Sequence, residues 1–272
     1  MLERWLSLKQ KIYVVGIGPG APELMTSQAK KALEESSVIA GYPVYLQLLG
    51  DAISKKRTIA TPMTKEEERC RLCFEEAKKG NIASIVCSGD AGVYGMASLM
   101  YELLPEYPDC ELEIVPGITA AISGAAILGA PLGHDFCVIS LSDRLTPWSV
   151  IEKRLLAAAD GDFCIAIYNP SSKGRPDYLK RACEILLKKV EPDRKCGYVR
   201  NIAREGTATK LCTLEQLKDE QVDMFTTVFI GNSQSRVIKG KLVTSRGYHL
   251  DQETKNSFGS ENSFGVENRR MQ

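Results

Sequence analysis

Charge of one sign is missing from this chain: 35 Lys and Arg stand against 34 Asp and Glu in 272 residues, a formal net charge of +1. With no global field to hold a polyanionic nucleic acid or an anionic membrane, charged contacts must come from local clusters. Long apolar runs are missing as well. No stretch reaches the uninterrupted length that spans a bilayer, and Met1 to Gln10 is mixed and amphipathic, without the apolar core of a signal. The expectation is a cytoplasmic protein with neither nucleic acid nor membrane among its partners. The nine cysteines lack metal-site spacing: they are odd in number, scattered, and mostly embedded in runs such as Ile85-Val86-Cys87 and Phe163-Cys164-Ile165. Cys70 and Cys73 lie one helical turn apart, but no second CxxC or His pair completes a tetrahedral zinc set. They read as thiols of a reducing compartment. No protein-bound metal is expected and, without a Cys-rich extension, no iron–sulfur cluster.

What is present is a rhythm. A length of 272 residues suits one large or two moderate domains. Short apolar runs alternate with helical segments, the signature of an α/β protein with a largely parallel sheet. Ile12 to Ile17, Val38 to Ala40, Ile82 to Cys87 and Leu112 to Val115 form one set of strands; Phe136 to Leu141, Phe163 to Tyr168, Lys195 to Val199 and Thr226 to Ile230 form another. Thr64-Lys65-Glu66-Glu67 reads as a capping box for a helix to Lys79. Thr146-Pro147 reads as N-cap and N1 of a helix to Ala159, and Arg175-Pro176 opens another to about Lys189. The small-residue stretch from Ala125 to Gly133 is a hinge candidate, which divides the chain into domains at 11–132 and 133–250. Beyond these, Asn256 to Glu261 is nearly repeated as Asn262 to Glu267, so 251–272 is expected to be a disordered tail.

Three strand-end loops could carry chemistry. The first, Gly16-Ile17-Gly18-Pro19-Gly20-Ala21, fits the dinucleotide pattern GxGxx(G/A). Two features oppose that reading. Pro19 and Pro22 keep the loop extended, so no helix can start before about Thr26 to receive a pyrophosphate, and the second strand, ending Val38-Ile39-Ala40-Gly41, supplies no acid for a ribose. A structural Gly/Pro turn remains the plain alternative. The second loop, Ser88 to Gly95, offers Asp90 for ribose hydroxyls or an amine, or as the cap of a helix near Val93. The third, Val115 to Ala121, again carries Gly and a small hydroxyl residue, or again an ordinary cap. Three such loops on successive strand ends point to one ligand site.

Together these loops resemble the tetrapyrrole (corrin/porphyrin) methyltransferase family, which reads GxGPGxxxxLT, SGDxxxYG and VPGxTA at these places. The resemblance covers about Lys11 to Leu250. Within the family, Gly41 to Tyr45, Ser88 to Met96, Leu132 to Phe136, Ile139 to Trp148 and Ile167 to Pro176 look like the members that methylate C17 of precorrin-3B or cobalt-factor III. Relatives acting at C11, or early at C2 and C7, usually carry GDP where this chain has Gly89-Asp90-Ala91. Met25 interrupts the expected Leu-Thr, and Ala120 replaces a frequent serine.

The resemblance implies two α/β domains with S-adenosylmethionine in the cleft between them, C17 methylation with ring contraction in cobalamin biosynthesis, and a homodimer. The donor pocket would include Pro19, Asp90, Val93, Thr119 and Ala120 from the first domain, and Tyr168, Ala203 and Asn232 from the second. A tetrapyrrole bears several acetates and propionates, for which Arg144, Lys173, Arg175, Arg200, Arg204 and Arg236 are candidates, each alternatively a solvated surface charge. For proton transfer, Asp143 in the polar loop Ser140 to Thr146 is the leading candidate, with Arg144 to keep it ionised and an Asx-turn as its plain reading. His134 is the second candidate, or simply a structural histidine. Another regiochemistry (C11 or C20) and a non-catalytic tetrapyrrole-binding protein are the alternatives.

Overall fold

The computed structural model describes residues 10–248. Its first sheet holds β1 (Gln10–Gly16), β2 (Val38–Gly41), β3 (Arg57–Ala60), β4 (Ala83–Cys87) and β5 (Cys110–Val115) in the order β3-β2-β4-β1-β5. Every pairing is parallel. The crossovers carry α1 (Ser27–Glu35), α2 (Pro43–Leu49), α3 (Glu66–Lys78) and α4 (Ala97–Leu103). Side chains alternate across a strand, and β1 shows it: Ile12 and Val14 join the core under α3 and α4, while Tyr13 and Val15 join the opposite core under α1. Both faces are covered there, which is why Ile12 to Val15 of β1 and Ile85 to Cys87 of β4 are continuously apolar. Cys70, Cys73 and Cys87 are buried in the first of those cores. Burial pushes the Cys70 thiol up to about 12 and the Cys87 thiol to about 11, so they remain protonated packing groups.

The chain then forms α5 (Ala120–Leu128) and the short β6 (Gly129–Ala130) before the second sheet. That sheet uses β7 (Phe136–Ser140), β8 (Cys164–Tyr168), β9 (Lys195–Arg200), β10 (Ala208–Thr213) and β11 (Thr226–Ile230), ordered β10-β9-β11-β8-β7. On one face lie α6 (Trp148–Asp160), α7 (Tyr178–Leu186) and α8 (Leu214–Leu217). A third sheet, β12 (Ser235–Ile238), β13 (Lys241–Thr244) and β6, closes the described chain.

Four expectations need correction. Only β7–β8 is parallel in the second sheet; β8–β11, β11–β9 and β9–β10 are antiparallel, because β10 and β11 both run against β7, β8 and β9. The Thr64 capping box does not form: Thr64 lies at φ 73 and α3 is capped by Lys65 without a side-chain bond. Thr146 does not cap α6: Pro147 holds the N-cap position and Trp148 is the first helical residue. Ala121, Ala125 and Leu128 of α5 pack with Ala166, Val199 and Phe229 of the second sheet. Close approach demands small residues there; a Cβ on Gly124 would lie 2.9 Å from both Ile202 Cδ1 and Phe229 Cζ. α5 thus packs on the second sheet, although it precedes that sheet's first strand in the chain. Finally, α7 spans Tyr178–Leu186, shorter at both ends than the sequence suggests. The tail at 251–272 lies outside the described residues.

Candidate active site

The carboxyl ends of the parallel strands bring the three loops together, where ligands bind in open α/β sheets. Gly18 and Gly89 exchange two backbone hydrogen bonds, of 3.0 and 2.7 Å. A Cβ on Gly117 would stand 2.1 Å from the Gly89 carbonyl oxygen and 2.6 Å from that of Gly16. The glycines are thus explained by loop packing against loop, backbone to backbone. Asp90 pins the same junction: Oδ1 accepts the N–H groups of Gly92 (2.8 Å) and Val93 (3.0 Å), and Oδ2 accepts that of Gly117 (2.9 Å). It caps no helix, since α4 begins only at Ala97, and its carboxylate is occupied in holding the loops.

Above this junction a cavity of about 190 Å³ opens between the two sheets. Pro19, Val93, Thr119, Ala120 and Tyr168 line it, so five of the eight expected donor-site residues share one space. Thr119 sits at the N-cap of α5, yet its hydroxyl makes no cap; it lies 2.5 Å from the Tyr168 hydroxyl, which also accepts the Ala121 N–H at 2.6 Å. Burial raises the Tyr168 phenol above its ordinary value, so it stays a neutral hydrogen-bonding group. Tyr94 crosses the cleft in the same way. Its hydroxyl donates to the Val138 carbonyl (3.1 Å) and accepts the Ser140 N–H (3.2 Å), standing in for a strand neighbour on the sheet edge β7.

Ala203 adjoins the cavity in a left-handed turn at φ 53, with its carbonyl oxygen 2.9 Å from where a Gly20 Cβ would lie. Asn232 is placed elsewhere. Because β11 runs antiparallel to β8, its first residues, Thr226 and Thr227, reach the cavity, while Asn232 follows the far end of the strand, roughly 15 Å away at about 3.3 Å per residue. There it is buried, its Oδ1 accepting from the Gln234 N–H at 3.0 Å. His134 is displaced because it precedes β7, which runs parallel to β8 and meets the cleft with its other end, Ser140. Its Nδ1 accepts the Asp135 N–H at 2.8 Å, a local surface turn.

The expected substrate cations separate into groups. Arg204 reaches across the cleft, Nε donating to the Pro19 carbonyl (2.8 Å) and Nη2 to the Ser88 hydroxyl (2.8 Å). Arg200 pairs with Asp223 at 2.9 Å on the surface. Arg175 donates to the Asp143 carboxylate (3.0 Å) and the Ser142 hydroxyl (3.1 Å). The Tyr178 hydroxyl donates to the other oxygen of Asp143. That phenol, then the Arg175 guanidinium, hold the Asp143 carboxyl below the ordinary range. Arg175, not Arg144, is its cationic partner. A carboxylate so satisfied is a poor proton acceptor, and Asp143 instead fixes Arg175 and the loop. Arg144 and Lys173 are exposed on neighbouring loops, while Arg236 is exposed on β12.

Sequence reasoning missed Met224, Phe225, Thr226 and Thr227, which line the second-domain wall. Met224 and Phe225 precede β11 and Thr226 and Thr227 begin it, at the amino end of a strand, whereas the loops singled out in the sequence follow carboxyl ends. Tyr178 and the lining residue Asn169 carried a signal, lying in or beside the Ile167 to Pro176 string. Among the described residues no three His, Cys, Asp or Glu side chains converge as metal ligands.

Residues 11–218 match the family model for tetrapyrrole (corrin/porphyrin) methylases. The chain is 44% identical over 238 residues to the "Probable cobalt-factor III C(17)-methyltransferase" of Salmonella typhimurium, covering 87% of this chain and 99% of that one. It is 43% identical over 244 residues to the cobalamin biosynthesis protein CbiHC of Archaeoglobus fulgidus, spanning 89% of this chain but only 54% of that longer relative. The crystal structure of the methyltransferase CobJ superposes with a TM-score of 0.81 at 39% identity, over 86% of this chain and 99% of that one.

Proposed function

The chain belongs to the tetrapyrrole (corrin/porphyrin) methylase family, and on that premise we propose that it moves a methyl group from S-adenosylmethionine to C17 of cobalt-factor III or precorrin-3B, with ring contraction, in cobalamin biosynthesis. The observation that carries the donor is the composition of the cavity. Its wall combines loop backbone with Val93, Ala120, Ile202, Met224 and Phe225, and contains no carboxylate. Such a wall suits a nucleoside thioether and offers no general base. Methyl transfer needs none, because in-line displacement at a sulfonium is accelerated mainly by positioning. The Tyr168–Thr119 and Tyr94–β7 contacts fix the two sheets around the reacting groups.

The tetrapyrrole is proposed to lie over the second-sheet loops at the same cleft. Arg144 and Lys173 are the exposed cations there, suited to acetate and propionate groups. Arg175 contributes its remaining edge, held in place by Asp143. The decisive experiment incubates the protein with labelled donor and each macrocycle, anaerobically and aerobically, and follows S-adenosylhomocysteine and product mass. A contracted product methylated at C17 is expected. Methylation at C11 or C20 would reassign the regiochemistry, and macrocycle binding without S-adenosylhomocysteine would make the protein a carrier.

A further inference from the structure

Arg204 is the one charged side chain among the residues lining the cavity, and none of the described carboxylates forms an ion pair with it. Its guanidinium is half-buried, and that burial lowers its pKa, the mark of a cation whose charge is not compensated. The side chain is nonetheless aimed with care. It leaves a turn in which Asn201 and Ala203 adopt φ near 52 and 53, and it passes over Gly20, where a Cβ would lie 2.5 Å from Arg204 Cγ. Its Nε and Nη2 are spent on Pro19 and Ser88, leaving Nη1 without a hydrogen-bond partner among the described residues. Both acceptors are neutral. Burying an arginine against neutral acceptors is unfavourable unless an anion completes the site.

Resting on the donor reading above, we propose that Arg204 receives the α-carboxylate of the methyl donor, and is a donor-binding residue instead of a contact for the tetrapyrrole. The guanidinium anchors the amino-acid end of the donor, leaving the apolar wall of Met224 and Phe225 for the nucleoside. The same bonds to Pro19 and Ser88 join the two domains, so an anion at Arg204 also favours the closed cleft.

The test is calorimetry with S-adenosylhomocysteine and its decarboxylated analogue, on the wild-type chain and Arg204→Met. Wild type should prefer the carboxylated ligand by about 30-fold or more, the range for a charge-assisted hydrogen bond. Arg204→Met should lose that preference, binding S-adenosylhomocysteine about 30-fold more weakly and the analogue within about threefold of wild type. Equal loss for both ligands would show that Arg204 acts only by holding the loops, and no loss for either would place the carboxylate elsewhere; each overturns the proposal. A wild-type chain that binds neither ligand overturns the donor reading itself. Should Arg204→Met fail to fold, Arg204→Lys carries the same comparison, with a cation retained and a smaller drop confined to the carboxylated ligand.

Discussion

The two sheets reach the cleft by different rules. In the first, all strands run one way, so the site residues of this sheet all follow strands: after β1, β4 and β5, with Tyr45 after β2. In the second, β7, β8 and β9 arrive with their carboxyl ends, but β11 arrives with its amino end. There, site residues both follow strands, as Asn169 and Arg204 do, and precede or begin one, as Met224 and Phe225, then Thr226 and Thr227, do. Their construction differs too. First-sheet loops are locked backbone to backbone by glycines and Asp90, whereas second-sheet loops are held by side chains such as Arg175, Asp143 and Tyr178. A rigid floor thus faces a side-chain wall, which divides precise positioning from adaptable recognition.

Substitutions should separate the two constructions. The largest effect is expected at Gly117→Ala in the floor, where the new methyl meets backbone that cannot turn aside. Thermal and denaturant unfolding should report a loss of about 3 kcal/mol or more. A Gly117→Ala protein of ordinary stability would show that the floor is adaptable after all. At the junction of the two regions, Tyr168→Phe strips partners from the Thr119 hydroxyl and the Ala121 N–H. It should cost about 1–3 kcal/mol by the same assay, and donor affinity should fall with it.

Acid sharpens the contrast. Glu76, beneath the first sheet, is hydrogen-bonded by Lys79 and by Arg57, and its carboxyl is pushed down to about 2, against about 4.3 for an ordinary glutamate. The folded form therefore binds the proton less readily than the unfolded chain, so this stabilisation is whole above about pH 5 and disappears as pH falls toward 2. In an unfolding series over pH, Glu76→Gln should flatten that acid limb. Asp143 is shifted in the same direction but is more open to solvent, with 34% of its side chain exposed against 7% for Glu76. Asp143→Asn should change the acid limb little. Its signature belongs to the wall: a tetrapyrrole KM raised by about tenfold as Arg175 loses its anchor, with the fraction of contracted product unchanged. A selective block in contraction would instead return Asp143 to proton transfer.

The smallest effects are expected where the wall faces solvent. A Cβ on Gly174 meets nothing within 4 Å, and Arg200 makes one exposed pair with Asp223. Gly174→Ala and Arg200→Ala should each shift stability by less than about 1 kcal/mol. A larger change at either would mean that this wall is locked as tightly as the floor.

Local chemistry carried much of this through to the sequence. Apolar runs marked the eight principal strands, because a strand buried on both faces must be apolar throughout. Pro19 and Pro22 excluded the dinucleotide loop, and α1 indeed starts at Ser27, after a Thr26 cap. Pro19, Val93, Thr119 and Ala120 were legible as cavity residues because the Gly-bearing loops follow strands of a parallel sheet, where position along the chain predicts position in space. Strand direction in the second sheet was not legible: β11 has the same apolar character whichever way it runs, so Asn232 lies at the end away from the cavity and Phe225 lies at the end beside it. Nor does residue type reveal a partner. Asp90, Asp143 and Arg204 stand in polar loops as any surface residue might be drawn, and only the meeting of distant segments gave one carboxylate three amide donors, another a phenol and a guanidinium, and the arginine a cavity without a counter-charge. Periodicity and backbone chemistry act between near neighbours in the chain, whereas charge pairing acts between neighbours in space, and here those come from opposite sides of the cleft.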